Sequence, residues 1–355
     1  MQSKTRPFVI PVFIPHAGCP HRCVFCDQTR LTGRSAMQPT EGQFHGLIER
    51  FLSYRRDPGR HTEIAFYGGN FLGLAPATIQ ILLTWAERYI LRGDAQGIRF
   101  STRPDSIDEE KLALLGEFPV TTIELGVQSM DAKLLRLCRR GHSVRQVVEA
   151  VDQIQQHPYR LGLQMMLGLP GETAEVALST AKRIAALAPN FVRIYPTLIL
   201  KGSPLESWYR EGRFTPLTLD EAVARAKALY RIFHQHAIPV ARMGLQATEE
   251  LHSGAALVAG PFHPAFGELV HAALWRDLLQ YAFERRDPAG RKAVIQLPAR
   301  LWSRVKGHKD SNRQYLLRRF DMPGIDFEVE PDLPPDTIVI NKERYKADFD
   351  LKSNF

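Results

Sequence analysis

Three cysteines stand within eight residues, in the run Gly18-Cys19-Pro20-His21-Arg22-Cys23-Val24-Phe25-Cys26. The spacing is C-x3-C-x2-C. Thiolates are soft ligands that suit iron, and a short loop carrying three of them can wrap an iron–sulfur cluster. A four-iron cluster held by three thiolates keeps one iron open for a small molecule. A structural zinc site needs a fourth ligand, which His16 or His21 would have to supply. A disulfide framework belongs to short, cysteine-rich secreted chains, and this chain has four cysteines in 355 residues. The fourth, Cys138, lies in a helical pattern with Leu134, Leu135 and Leu137 and reads as a buried thiol.

Strand and helix patterns alternate around this loop. Apolar Phe8–Ile14 reads as a strand that ends at the cysteines. Further strands are expected at Glu63–Tyr67, Ile98–Thr102, Thr121–Val127, Arg160–Leu167, Phe191–Thr197 and Ile238–Met243. Helices are expected at Glu41–Tyr54, Pro76–Leu91, Ser106–Gly116 with Ser106 as N-cap, Asp131–Cys138, Ser143–Gln156, Thr173–Leu187 and Leu219–Gln235. Serial β-α units imply a parallel sheet, open or closed into a barrel, with function gathered beyond the strand C-termini. The cysteine loop falls at that end. Residues 249–265 read as a long loop or lid, followed by a helix over Phe266–Phe283 and a linker at Pro288-Ala289-Gly290.

The net charge of +8 is uneven. Residues 281–320 hold eleven Lys and Arg against Glu284, Asp287 and Asp310, whereas residues 321–355 hold nine acids against four bases. A basic block before an acidic tail suggests a polyanion site, or a solvated face paired with the tail. No run of about 18 apolar residues is present, so no membrane span is expected. The first residues, Met1 to Pro7, lack an apolar signal core. A cytoplasmic location with reduced thiols is the expectation. The organisation expected is a barrel over 1–245, a lid loop and connecting helix over 246–287, and a small basic α/β domain over 288–355.

The cysteine run with Phe25 before its third cysteine, followed by Phe66-Tyr67-Gly68-Gly69-Asn70, resembles the radical SAM enzymes. Five more segments narrow the resemblance to an Elp3-like core over roughly residues 8–210. They are Ser101-Thr102-Arg103-Pro104-Asp105, Glu124-Leu125-Gly126-Val127-Gln128-Ser129, Arg140-Gly141-His142, Met166-Leu167-Gly168-Leu169-Pro170-Gly171, and Arg193 to Thr197 running on to Lys201-Gly202. The resemblance implies a partial TIM-type (β/α)6 barrel with a small C-terminal α/β domain. It implies a [4Fe–4S] cluster on Cys19, Cys23 and Cys26. It also implies S-adenosylmethionine on the open iron, cleaved to a 5′-deoxyadenosyl radical, and an electron donor such as flavodoxin or ferredoxin. The residues it places around S-adenosylmethionine are Phe25, Gly68, Gly69, Asn70, Ser101, Gln128, Arg140 and Gln164, with Arg140 facing the carboxylate. Many members carry an acid for the ribose where Ser101 stands here. Tyr195 and Lys201 are candidates for substrate contact, while His252 and His263 read as surface histidines.

Elp3 proteins also carry an acetyltransferase domain, for which this chain ends too soon. In its place stands a strand, a helix, a short loop at Gly307-His308-Lys309-Asp310, a helix and a strand. That is the order of the KH minimal motif, whose GXXG loop clamps a nucleic-acid backbone. Here Asp310 replaces the second glycine. Arg300, Arg304, Lys306, Lys309, Arg313, Arg318 and Arg319 are the candidate RNA contacts. The first functional reading is a radical SAM enzyme modifying RNA, namely tRNA. The alternatives are one acting on a small molecule such as a porphyrinogen, a non-catalytic iron–sulfur RNA-binding protein, and a C-terminal segment that only caps the barrel.

Overall fold

The computed structural model describes residues 7–27, 38–246, 248–285, 288–347 and 349. The N-terminal reading over residues 1–6 and Asp287 of the charge block lie outside them.

The first half alternates strand and helix, with two helices between its fourth and fifth strands. β1 (Phe8–Phe13) leads through the cysteine loop to α1 (Glu41–Ser53), then β2 (Thr62–Tyr67), α2 (Pro76–Leu91) and β3 (Gly97–Thr102). Next come α3 (Glu109–Leu115), β4 (Val120–Gln128), α4 (Ala132–Leu137), α5 (Val144–Gln155), β5 (Arg160–Leu167) and α6 (Ala174–Ala186). β6 (Phe191–Pro196), the short β7 (Ile199–Leu200), α7 (Pro204–Arg210), α8 (Leu219–Gln235) and β8 (Val240–Met243) complete the sheet region. The large sheet has the order β1-β2-β3-β4-β5-β6-β8. Every neighbouring pair in it is parallel. It is a curled α/β half-barrel with seven strands, which lie at the seven segments read as strands, the last beyond the six units that the resemblance implies.

Local signals explain the helix starts. Thr40, Ser143 and Thr218 each close a reciprocal capping box with Gln43, Gln146 and Glu221. Ser106 departs from its expected role. Pro104–Ser106 forms a separate 3-10 turn, the Ser106 hydroxyl accepts from Asn70, and Asp108 caps α3 at the Lys111 N–H (2.9 Å). Ile10, Ile64, Ile98, Ile123, Leu163 and Ile194 face outward into the helix layer and are buried. Charged residues alternate with them on the inner face.

Residues 249–265 are more ordered than a plain loop. They hold α9 (Glu249–His252) and β9 (Leu257–Ala259), and β9 pairs antiparallel with β7. α10 (Phe266–Glu284) follows. Its buried Trp275 and Phe283 belong to the same continuous core as the barrel. The C-terminal unit is β10 (Ala293–Leu297), a 3-10 turn at Ala299–Leu301, α11 (Trp302–Lys306), α12 (Ser311–Arg319), β11 (Ile325–Val329), β12 (Thr337–Ile340) and β13 (Glu343–Lys346). Its sheet runs β11-β10-β12-β13, with β10 and β11 parallel. Asn312 is buried and clamps this unit to α10 by donating to the Ala272 carbonyl (2.8 Å).

Candidate active site

The cysteine loop is fastened to the end of β2 by close backbone approach. The Ile14 and His16 N–H groups donate to the Tyr67 and Gly68 carbonyls (2.8 and 3.0 Å), and the Asn70 N–H donates to Ala17 (2.8 Å). Gly68 takes a positive φ of 89° there. A Cβ on Gly69 would lie 2.5 Å from the Ala17 carbonyl oxygen and 2.6 Å from that of Ile14. Gly69 is therefore required by the cysteine loop's own backbone. Asn70 is fully buried, and both ends of its amide are used. It donates to the Gly18 carbonyl and the Ser106 hydroxyl (2.8 Å each) and accepts from Thr102 Oγ1 (2.7 Å) and the Arg103 N–H (3.1 Å). Asn70 thus ties the cysteine loop to β3 rather than presenting a free amide to a ligand.

The other side of the loop rests on later elements. The Val24 N–H donates to Cys138 (3.2 Å), and the Leu205 N–H at the start of α7 donates to Val24 (2.8 Å). Val24, Cys138, Met166 and Leu169 form a small apolar cluster, against which Phe25, Tyr195 and Trp208 pack. Burial pushes the Cys138 thiol up to about 12, so it stays protonated and inert. No disulfide engages Cys19, Cys23, Cys26 or Cys138. Cys23 is buried while Cys19 and Cys26 are partly open.

Two arginines absent from simple strand patterning line this loop. Arg140 Nη1 donates to Cys23 Sγ (3.1 Å) and Nη2 to the Gly126 carbonyl (2.6 Å). Arg103 grips Asp105 through Nε and Nη2 (2.9 and 2.8 Å), and Nη2 also donates to the Arg140 carbonyl. Burial raises the Cys19 thiol, and Arg103 is the largest charge opposing that rise. Arg103 Nη1 and Arg140 Nε are buried without a protein hydrogen-bond partner. Buried, unpaired guanidinium donors are costly unless an acceptor arrives. His142, beside them, is lowered to about 3 by burial and then by the charges of Arg140 and Arg103, and so is neutral.

The barrel interior holds a charge ladder. Glu63 (β2), Arg99 (β3), Glu124 (β4) and Arg193 (β6) alternate in sign. Arg99 meets Glu63 at 2.9 Å and Glu124 at 3.3 Å. Arg193 pairs with both Glu124 oxygens, and the Tyr67 hydroxyl donates to Glu124 (2.8 Å). Burial pushes the Glu124 carboxyl up, but Arg193 and Arg99 outweigh it and hold it below its usual range. Gln164 donates to Gln128 (2.9 Å) on the neighbouring inner positions. Gln128 has φ 66°, at the irregularity that ends the β4–β5 pairing. Ser101 is half-buried on β3, two residues past Arg99 on the same face. Tyr195 accepts from Arg193 (3.4 Å), whereas Lys201 is exposed in the turn after β7. The ladder is visible in the sequence only as single charges inside apolar strands.

These features fit a cluster and an anionic ligand. Three thiol-bearing residues lie on one loop, and among the described residues no three His, Cys, Asp or Glu side chains converge as a single ion requires. A cluster instead receives each thiolate at a different iron. The orphaned guanidinium donors beside it suit a carboxylate.

The family model described as the radical SAM superfamily matches residues 13–184, and that of the radical SAM C-terminal domain matches 189–276. The chain belongs to the radical SAM superfamily. It is an enzyme of that superfamily, whose cofactors are a [4Fe–4S] cluster and S-adenosylmethionine. Similar proteins include the uncharacterized protein MJ0486 of Methanocaldococcus jannaschii, 31% identical over 61% of this chain and 69% of the relative. The tRNA uridine(34) acetyltransferase of Dehalococcoides mccartyi is 27% identical over 64% of this chain, which spans 58% of that relative. Among solved structures, archaeal Elp3 from Methanocaldococcus infernus superposes with a TM-score of 0.59 at 21% identity, covering 77% of this chain and 64% of the other. The chain thus shares the fold of the Elp3 core. Among the described residues no helix is long and apolar enough to cross a membrane.

Proposed function

We propose that this radical SAM enzyme modifies tRNA. The observation that carries the reading is the similarity to a tRNA uridine(34) acetyltransferase over 64% of the chain. When bound and reduced, the cofactor pair supplies a 5′-deoxyadenosyl radical that takes a hydrogen atom from substrate. Cys19, Cys23 and Cys26 would hold the cluster. Arg140 and Arg103 offer buried donors to an anionic group, Gln128 and Gln164 offer amides, and Ser101 is the hydroxyl at the ribose position. The apolar packing of Phe25, Tyr195 and Trp208 covers the Val24 and Cys138 side of the loop. Reduction calls for a one-electron donor of flavodoxin or ferredoxin type.

The C-terminal unit supports an RNA partner, with a narrower set of contacts than composition suggests. Arg304 is bound by both oxygens of Glu268 (2.8 and 2.7 Å), and Arg319 lies 4.0 Å from Glu284. Lys306 and Arg313 are both engaged by Asp310 (3.3 and 3.4 Å). Arg300, Lys309 and Arg318 remain exposed. Trp302 is also exposed, with the Lys306 ammonium 5.4 Å from its ring centroid, which makes a stacking platform for a base. Asp310 sits at φ 67°, a conformation glycine adopts freely. Asp310→Gly would release Lys306 and Arg313 to meet phosphate.

The test is to reconstitute the full chain anaerobically and incubate it with total tRNA, S-adenosylmethionine and a reductant. Nucleoside masses and 5′-deoxyadenosine are then measured. A new modified nucleoside and tRNA-stimulated cleavage are expected. Binding should weaken steeply with salt and on reversing Arg300, Lys309 and Arg318 to Glu, and should tighten in Asp310→Gly. Absence of tRNA binding at low salt, together with unchanged tRNA masses, would refute the proposal.

A further inference from the structure

We infer that Arg140 sets the reduction potential of the cluster by hydrogen bonding the Cys23 thiolate, with Arg103 and Asp105 as positioning residues. The inference rests on Cys19, Cys23 and Cys26 being cluster ligands. Arg140 lies 117 residues from Cys23 in sequence, yet its Nη1 stands 3.1 Å from the sulfur. Donors to cluster sulfurs are among the main controls of reduction potential. An N–H aimed at a thiolate draws electron density from it and so favours the added electron.

Charge acts in the same direction. An oxidised cubane on three thiolates is already anionic, and reduction adds another negative charge. The cation beside it is 7% exposed, so water screens it little. Its opposing charge is incomplete. Asp105 is taken up by Arg103, no carboxylate pairs with Arg140 among the described residues, and neutral His142 adds nothing of either sign.

The aim of Arg140 is fixed from three directions. Nη2 is anchored on the Gly126 carbonyl (2.6 Å). A Cβ on Gly126 would approach Nη2 to 3.3 Å and Gln128 Nε2 to 2.9 Å, so the bare backbone keeps that berth open. Arg103, held in a two-pronged grip by Asp105, donates to the Arg140 carbonyl and pins the backbone from which the guanidinium springs. Gly141, at φ 75°, accommodates the His21 ring of the cysteine loop, since a Cβ there would fall 2.1 Å from it. The Arg140 segment and the cysteine loop are therefore packed as one unit.

The test is a potentiometric titration of the reconstituted holoprotein, followed by the electron paramagnetic resonance of the reduced cluster, without S-adenosylmethionine. In Arg140→Gln the ratio of reduced to oxidised cluster at a given potential should fall about tenfold, equivalent to about 59 mV for one electron. Arg140→Lys, which keeps the charge, should restore part of the loss. Arg103→Gln, which removes a second cation and the hydrogen bond to the Arg140 carbonyl, should shift the midpoint the same way by a smaller amount, and Arg145→Gln on the exposed face of α5 should not shift it. Binding of S-adenosylmethionine to the oxidised protein is measured in parallel. An unchanged midpoint in Arg140→Gln, with weaker S-adenosylmethionine binding alone, overturns the inference and leaves Arg140 to the carboxylate. If Arg140→Gln takes up no cluster, unchanged midpoints in both Arg140→Lys and Arg103→Gln overturn it. A wild-type chain that takes up no cluster would instead overturn the assignment of the three cysteines.

Discussion

Replacing Gly69 by alanine adds one carbon to a tight contact between the cysteine loop and the residues that follow β2. That carbon would stand 2.5 Å from the Ala17 oxygen, 2.6 Å from the Ile14 oxygen and 3.1 Å from the Ala17 nitrogen. All three are backbone atoms and cannot rotate away, whereas comfortable non-bonded carbon contacts lie near 3.5–4.0 Å. Relief requires the cysteine loop to move by several tenths of an ångström to an ångström. Overpacking of this kind costs about 1–3 kcal/mol. The shift also strains the Asn70 N–H to Ala17 hydrogen bond, worth about 0.5–1.5 kcal/mol. Together they predict a loss of about 2–4 kcal/mol in urea unfolding of the apo-protein under anaerobic reduction, and poor retention of iron and sulfide on reconstitution. Gly46→Ala is the internal control. Gly46 lies inside α1, and a Cβ there meets nothing within 4 Å. That change should stabilise by about 0.5–1 kcal/mol through helix propensity alone. A Gly69→Ala protein as stable as wild type, with a full complement of iron, would refute the packing argument.

Other perturbations report on separate parts of the site. Cys23→Ala should lose the cluster absorbance, while Cys138→Ala, whose thiol is buried away from reaction, should keep it. Glu124→Ala leaves Arg99 and Arg193 buried without their shared partner, and should destabilise by about 3–5 kcal/mol in chemical denaturation. His142 is lowered to about 3 in the fold, so the unfolded chain binds a proton that the native chain refuses between pH 6.5 and 3. Stability should fall as pH drops through that window, by on the order of 5 kcal/mol in all, and His142→Phe should flatten the slope. Glu172 acts oppositely: burial raises it to about 7. Its contribution is full below pH 4.5 and lost as pH rises towards 7, a dependence that Glu172→Gln should remove.

Much of this molecule was legible in the chain because the signals are local. The boundaries Pro76–Leu91, Arg160–Leu167 and Leu219–Gln235 follow from apolar periodicity and end signals within each segment, and they coincide with α2, β5 and α8. The cysteine spacing carries its chemistry within eight residues, and the alternation of β and α units dictates a parallel sheet. Ser106 misled because a proline turn and a distant amide claimed it, and no local pattern records either event. The hairpin of β12 and β13 has no local signature within its acidic stretch, since β12 is completed by pairing with β10.

Tertiary structure decided which groups meet. Composition offers seven cations near Gly307, but only the fold shows Asp310 holding Lys306 and Arg313, and Glu268 holding Arg304. Sequence places Gly69 after a strand, and only the approach of residues 14–17 shows why a side chain is forbidden there. Arg140 and Cys23 are brought together by the register of β4 against its neighbours and the curl of the sheet. Secondary structure is written in neighbours along the chain, whereas a site is written in distances across it, which the packed sheet sets.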